Sequence, residues 1–276
     1  MVLRSINTAG GTLAVEIEGE GPLVICSPGM GDTRDAYAPF AKQLVSQGYC
    51  VASMDIRGHG DSSTTFTQYG DAAQAEDFLT VAKELNKGPA VLAGCSFSAG
   101  AATIAAGKSP ESVVGIILLG PFLRNPMGAV GMWFMPLLFR WPWGPTMWQM
   151  YVPTLWPGLG EQAKERAASS TKSLTRSGRW SAFYQTVCGC NHDAVTPWLG
   201  KAKCPALVVM GDKDPDFSKP KEEAEWVASN FSDAKVLMLE GVGHAPMLER
   251  PEAVSKAALD FLGKLRDQVA WKSATT

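Results

Sequence analysis

Ala90-Val91-Leu92-Ala93-Gly94-Cys95-Ser96-Phe97-Ser98-Ala99-Gly100 decides how this chain is read. Its first four residues are an apolar run that reads as a buried strand. Gly94-Cys95-Ser96-Phe97-Ser98 follows as small-x-Ser-x-small, and Ala99 to Ala106 reads as a helix of small residues. A strand that turns sharply into a helix exposes the residue at the tip of the turn and seats its backbone at the helix N-terminus. The residues on either side must be small, because a larger side chain would clash in so tight a turn. A serine held there can attack a carbonyl carbon when a base takes its proton. Ser98, flanked by Ser96 and Gly100, fits the same pattern. Ser96 is preferred because it follows the strand-ending Gly94 by two residues, which leaves Ser98 as the small residue that lets the helix approach the strand.

Outward from this elbow the chain alternates between two periods. Leu3 to Thr8 and Thr12 to Glu18 alternate apolar and polar residues around Gly10-Gly11, the pattern of an antiparallel hairpin. Leu23-Val24-Ile25-Cys26 is a continuous apolar run, as in a strand buried on both faces, and runs into the turn-rich Ser27-Pro28-Gly29-Met30-Gly31-Asp32. Tyr37 to Gln47 has helical spacing, Tyr49 to Met54 is the next strand, and Asp71 to Leu85 is a helix. Beyond the elbow, Val113 to Leu119 is a buried strand. Ala206 to Met210 and Lys235 to Leu239 are strands, with helices at Lys221 to Asn230 and Pro251 to Val269. Apolar strands alternating with amphipathic helices predict an α/β chain with a mostly parallel sheet covered on both faces.

From Phe122 to about Lys203 that alternation stops. Phe122 to Gly160 carries only two charges, Arg124 and Arg140, but holds Trp133, Trp141, Trp143, Trp148 and Trp156. A structureless loop of this length is implausible inside a domain. The expected organisation is a core of residues 1–121 and 204–276 with a helical cap inserted at 122–203. Pro136, Pro142, Pro145, Pro153 and Pro157 should break its helices, with further helices at Ala163 to Ser173 and Arg179 to Thr186. Met127, Met132, Met135, Met147 and Met150 suggest an apolar pocket wall that adapts in shape. A small subdomain cannot bury seven tryptophans, so some should line the pocket or form an exposed patch. Such a patch could serve a homodimer or a membrane surface. Trp133, Met132, Met147 and Trp148 are the expected substrate contacts.

Composition excludes several roles. The chain has 276 residues, 46% of them hydrophobic, enough for one sizeable core or a core plus an insertion. With a net charge of −2 and no basic run, nucleic acid is not an expected partner. The first residues contain no apolar stretch of the signal-peptide kind, and no proline-free apolar run is long enough to span a membrane, so a cytoplasmic location is expected. Six cysteines at 26, 50, 95, 188, 190 and 204 read as free thiols suited to a reducing compartment. Cys188-x-Cys190 lacks a second matching half, so no metal site is expected.

Five places, taken in order, make the chain resemble the α/β-hydrolase superfamily, of the kind that carries a cap. They are Ser27-Pro28-Gly29-Met30-Gly31, Asp55-x-Arg57-Gly58-His59-Gly60-x-Ser62, the elbow around Ser96, Gly211-Asp212-Lys213-Asp214-Pro215 and Gly243-His244-Ala245-Pro246. The order Ser, Asp, His is also the superfamily's order. The resemblance implies an eight-stranded sheet and a cofactor-free serine hydrolase of the esterase or lactonase type, with a small apolar ester-like substrate. Ser96 would be the nucleophile, His244 the base and Asp214 the acid. The backbone N–H groups of Met30 and Phe97 would form the oxyanion hole. Asp212 would tighten a turn, Asp216 would be solvated, and Asp32 would stabilise its own loop. Pro28 stands where the superfamily usually has histidine, and Cys95 where a larger residue is common. The same triad also serves C–C bond hydrolysis and perhydrolysis in this superfamily, and a ligand receptor on the fold is a further reading.

Overall fold

The computed structural model describes residues 1–126, 128–268 and 271. Eight strands form one sheet: β1 Val2–Thr8, β2 Gly11–Glu18, β3 Leu23–Ser27, β4 Cys50–Met54, β5 Ala90–Cys95, β6 Val113–Leu119, β7 Ala206–Gly211 and β8 Ala234–Leu239. Their spatial order is β1-β2-β4-β3-β5-β6-β7-β8. β1 pairs antiparallel with β2, and β2 antiparallel with β4, while every pairing from β4 to β8 is parallel. The alternating hairpin thus sits at one edge, and the continuous apolar runs occupy the middle, where helices cover both faces.

Period-two geometry divides the core. Val24 and Cys26 of β3 pack on one face with Phe40 and Leu44 of α1 (Ala38–Ser46) and Leu262 of α10 (Pro251–Gln268). Leu23 and Ile25 pack on the other face with Phe78 of α2 (Asp71–Leu85) and Ile104 of α3 (Phe97–Lys108). The expected final helix carried Val269, which lies outside the described residues.

Between β6 and β7 the described residues form only helical segments. These are α4 Ala129–Leu138, α5 Gly144–Tyr151, α6 Gln162–Leu174 and α7 Arg179–Gly189, with two 3₁₀ turns between α5 and α6 and two more after α7. Two further helices, α8 Pro220–Ser229 and α9 Pro246–Glu249, precede α10. The helical segments are interrupted beside the expected prolines, and Pro142 lies in the gap between α4 and α5. Pro145, Pro153 and Pro157 stand in the first turn of a helical segment, where a missing N–H costs nothing. Pro136 lies inside α4, which ends only at Leu138, so the stop comes one half-turn late. Among the described residues no helix is long and apolar enough to cross a membrane.

Candidate active site

Ser96 joins β5 to α3 with φ 61° and ψ −130°, a left-handed backbone that costs a side-chain-bearing residue about 1–3 kcal/mol. Two glycines make the turn possible. A Cβ on Gly94 would lie 2.2 Å from the Ser98 carbonyl oxygen, and one on Gly29 would lie 3.0 Å from Ser96 Cβ. Ser98 is fully buried, and its hydroxyl donates to the Pro28 carbonyl at 2.7 Å. Ser96, by contrast, borders a cavity of about 540 Å³. The two serines of the elbow therefore have separate surroundings: Ser98 fastens the helix to the loop after β3, and Ser96 faces open space.

The loop after β7 brings Asp214 beneath His244, from the loop after β8. His244 Nδ1 lies 2.8 Å from Asp214 Oδ2, and both residues are buried. The His244 loop is fixed by its own N–H on the Leu155 carbonyl at 2.7 Å. The Glu249 carboxylate accepts from the N–H groups of Gly243, Ala245 and Gly158. Cys95 Sγ donates to the His244 carbonyl at 3.6 Å, which ties the end of β5 to this loop. Burial alone would lower the His244 pKa, but the Asp214 and Asp216 carboxylates outweigh it and push it up to about 9. Ser96 and His244 border the same cavity. No hydrogen bond to the Ser96 hydroxyl forms among the described residues, and such contacts are often long until substrate arrives.

Asp216 departs from the expectation of a solvated carboxylate. It borders the cavity, stands 3.6 Å from His244 Nδ1 and accepts the Tyr151 hydroxyl of α5. The physical reason is the helical segment above it, which removes water from a loop that sequence alone would leave exposed. Asp212 does tighten its turn, accepting the Gly241 N–H at 2.7 Å.

Met30 and Phe97 also border the cavity. Phe97 opens α3, so its N–H has no acceptor within the helix. The Met30 N–H likewise has no backbone acceptor among the described residues. Its loop is held by His59. The His59 Nδ1 proton goes to the Arg57 carbonyl at 2.9 Å, which leaves Nε2 to accept the Gly31 N–H at 3.1 Å. Burial keeps that imidazole neutral by lowering its pKa to about 4. From the helical side, the Trp148 indole lies where a Gly31 side chain would be. Ser170 of α6 donates to the Gly31 carbonyl at 2.6 Å, and Arg166 of α6 pairs with Asp32 at 2.6 Å. Asp32 thus secures its loop, and it borders the cavity as well.

The cavity wall contains Met132, Met135, Met147 and Trp148. Trp133 is a correction: it is 67% exposed and absent from the wall. Neighbouring residues on a helix project about 100° apart, so with Met132 turned inward Trp133 must turn out. Met150 is also exposed, and Met127 lies outside the described residues. Trp133, Trp141 and Trp143 are exposed, while Trp148, Trp156 and Trp180 are buried. Among the described residues the wall includes no lysine or arginine. Cys188 is exposed and Cys190 buried, and the one metal-like grouping among the described residues is Asp214, Asp216 and His244 itself.

These features can be set beside known proteins. The model of the alpha/beta hydrolase family matches residues 23–257, from β3 into α10. This chain is an α/β-hydrolase. The hydrolase is 29% identical to the 2-(acetamidomethylene)succinate hydrolase of Mesorhizobium japonicum, over 95% of each chain. It is 24% identical to Lipase 1 of Psychrobacter immobilis, over 90% of this chain and 80% of the relative. A thermophilic esterase from Thermogutta terrifontis superposes with a TM-score of 0.81 at 23% identity, covering 96% of this chain and 99% of the esterase. That last likeness speaks for the fold.

Several residues of the hydrolase's site escaped the sequence. Glu249 offers no motif, since a carboxylate that caps three N–H groups is recognisable only once the loop has closed. His59 stands in the Arg57-Gly58-His59-Gly60 loop, but its grip on Gly31 links loops 28 residues apart. His192, in the stretch between β6 and β7, sits in no motif. It borders the cavity, with Nδ1 2.8 Å from Asp71 Oδ1.

Proposed function

We propose that this α/β-hydrolase cleaves a small to medium, uncharged, apolar ester or lactone. The observation that carries this reading is the buried Asp214–His244 pair, whose imidazole borders the same apolar cavity as the strained Ser96. Ser96 Oγ adds to the acyl carbon as His244 Nε2 takes its proton. The carbonyl oxygen becomes an oxyanion facing the N–H groups of Met30 and Phe97. Collapse expels the alcohol, which receives the proton from His244, and leaves an acyl-Ser96. Water, deprotonated by His244, repeats the sequence and frees the acid and Ser96. Asp214 holds Nδ1–H so that Nε2 faces the serine, and stabilises the imidazolium. Residues 122–203 serve as a cap over the core of 1–121 and 204–276, and Met132, Met147 and Trp148 contact the substrate.

Ester cleavage agrees with relatives named as a lipase and an esterase. The charge of the substrate is argued from the wall. With no lysine or arginine among the wall's described residues, a free carboxylate would find no such cation to pair with. This sets the chain apart from the relative named for a succinate derivative. A series of p-nitrophenyl esters of increasing acyl length tests the proposal. Turnover should rise with chain length and then fall, and a phosphonate ester should label Ser96 one to one. Turnover that survives in Ser96→Ala sinks it.

A further inference from the structure

A second imidazole–carboxylate pair borders the cavity and has no part in the proposed chemistry. His192 follows α7, and Asp71 opens α2. Both are buried, at 5% and 1% exposure, and His192 Nδ1 lies 2.8 Å from Asp71 Oδ1. The His192 ring lies flat on Phe122, with centroids 5.2 Å apart and planes 6° from parallel. The other imidazole, His244, meets the same phenyl ring at 5.3 Å. The position of His192 is set from several sides. Its N–H donates to Asn125 Oδ1 at 3.0 Å, and a Cβ on Gly100 would come within 2.8 Å of Asp71 Oδ1. The glycine one turn into the elbow helix thus leaves room for this carboxylate.

An ionised carboxylate only accepts, so Nδ1 carries the proton and Nε2 is turned away from Asp71. Nε2 has no hydrogen-bond partner among the described residues. It is also not one of the sealed, unpartnered polar atoms, which are Asp71 Oδ2, Arg166 Nε and Ser255 Oγ. Nε2 therefore keeps access to the cavity that His192 borders. The ring it belongs to rests on Phe122, and the cavity wall it shares includes Pro126, Val187 and Cys190, none of which offers a side-chain partner of any strength. A polar atom fixed at one point of an apolar wall discriminates between ligands that can bond to it and ligands that cannot.

We propose that His192 is a specificity-determining residue whose Nε2 binds a hydroxyl on the substrate, remote from the scissile carbonyl. Asp71 is its positioning residue. A hydroxyl suits the site because it donates to a neutral Nε2 and accepts from a protonated one. The inferred substrate class is the hydroxy-substituted ester, or the lactone of a dihydroxy acid. This rests on the ester-hydrolase reading, and the experiment separates the two.

Methyl esters from butanoate to decanoate are compared with their ω-hydroxy counterparts in two ways. kcat/KM is measured with the wild-type protein, and dissociation constants are measured with Ser96→Ala. At one chain length the hydroxy ester should be preferred about tenfold in both, the worth of one hydrogen bond to a preset partner. His192→Phe keeps a ring on Phe122 and should remove the preference, read as a ratio whatever the absolute rate. The double variant His192→Phe with Asp71→Asn, which leaves no unpaired carboxylate behind, should lose it too. In ¹⁵N-histidine protein, the His192 Nε2 resonance should shift with the hydroxy ester and not with the plain one. Preferential binding that disappears with His192, even without turnover, upholds the proposal while the hydrolase reading fails. Turnover with no hydroxy preference at any length, or a preference that survives His192→Phe, overturns the proposal and leaves the hydrolase reading intact.

Discussion

Two buried imidazoles flank Phe122, and each has a carboxylate 2.8 Å from its Nδ1. By residue type, distance and burial they are near twins. Their neighbours differ. His244 comes from the loop after β8, beside the elbow, and has a second carboxylate, Asp216, at 3.6 Å. His192 comes from the helical insertion and lies against a phenyl face. An Asp–His pair is therefore not a catalytic signature in itself. In the proposed mechanism what distinguishes the two is the company of a hydroxyl held on a strained turn, where a proton can be taken from a group poised to attack.

Chemistry offers the harshest test of that distinction. Ser96→Ala and His244→Ala should each lower kcat/KM for a p-nitrophenyl ester by about 10⁴-fold or more with the fold retained, measured by steady-state kinetics and circular dichroism. His192→Phe should fall far short of that loss. Equal collapse in both would mean that the wrong imidazole was paired with the serine. Asp214→Asn should cost about 10⁴-fold, as the imidazole loses its tautomer, whereas Asp71→Asn should mainly erode selectivity.

The pH profile sharpens the contrast further. The proposed base, His244, must be neutral to act, and nearby carboxylates raise its pKa to about 9. kcat/KM should therefore climb with pH along a limb on the alkaline side of an ordinary histidine. Asp216→Asn should move that limb toward lower pH, and an unmoved limb would show that Asp216 does not act on His244. A third buried imidazole runs the opposite way. His59 resists protonation, with a pKa near 4 against 6.5 for a free ring. Between those values an unfolded chain takes up a proton that the folded one refuses, so stability should fall as pH drops from 6.5 toward 4. His59→Gln should flatten that part of a stability–pH curve obtained by urea unfolding.

The smallest expected effect is at Trp133. Trp133→Ser should shift stability by less than about 0.5 kcal/mol and leave turnover of a water-soluble ester unchanged. Trp148→Ala, at a position 3% exposed, should cost about 3–5 kcal/mol by thermal or urea unfolding.

Much of the frame was legible because its signals are local. β6 and α2 match the expected Val113 to Leu119 and Asp71 to Leu85 to the residue, since an apolar run or a 3.6 period needs no partner to be seen. The elbow was legible for the same reason: small residues at fixed offsets report a steric demand of the turn itself. Legibility ended where partners are remote. Trp133 and Met132 look equally apolar in sequence, and only the orientation of α4 separates them. Asp216 looked wet because nothing nearby in sequence announces the Tyr151 hydroxyl 65 residues away. His192 and Asp71 are 121 residues apart, and neither sits in a motif.

The grip on Gly31 has a consequence for how ligands come and go. Trp148, Ser170 and Arg166 all belong to the helical segment, yet they hold the very loop that carries the Met30 N–H. If Met30 N–H serves the proposed oxyanion and those helices the proposed cap, a wholesale swing of the helices would drag away the cradle for negative charge along with the roof. On that reading, a protein whose helical segment is prised away from this loop should be one that has stopped turning over.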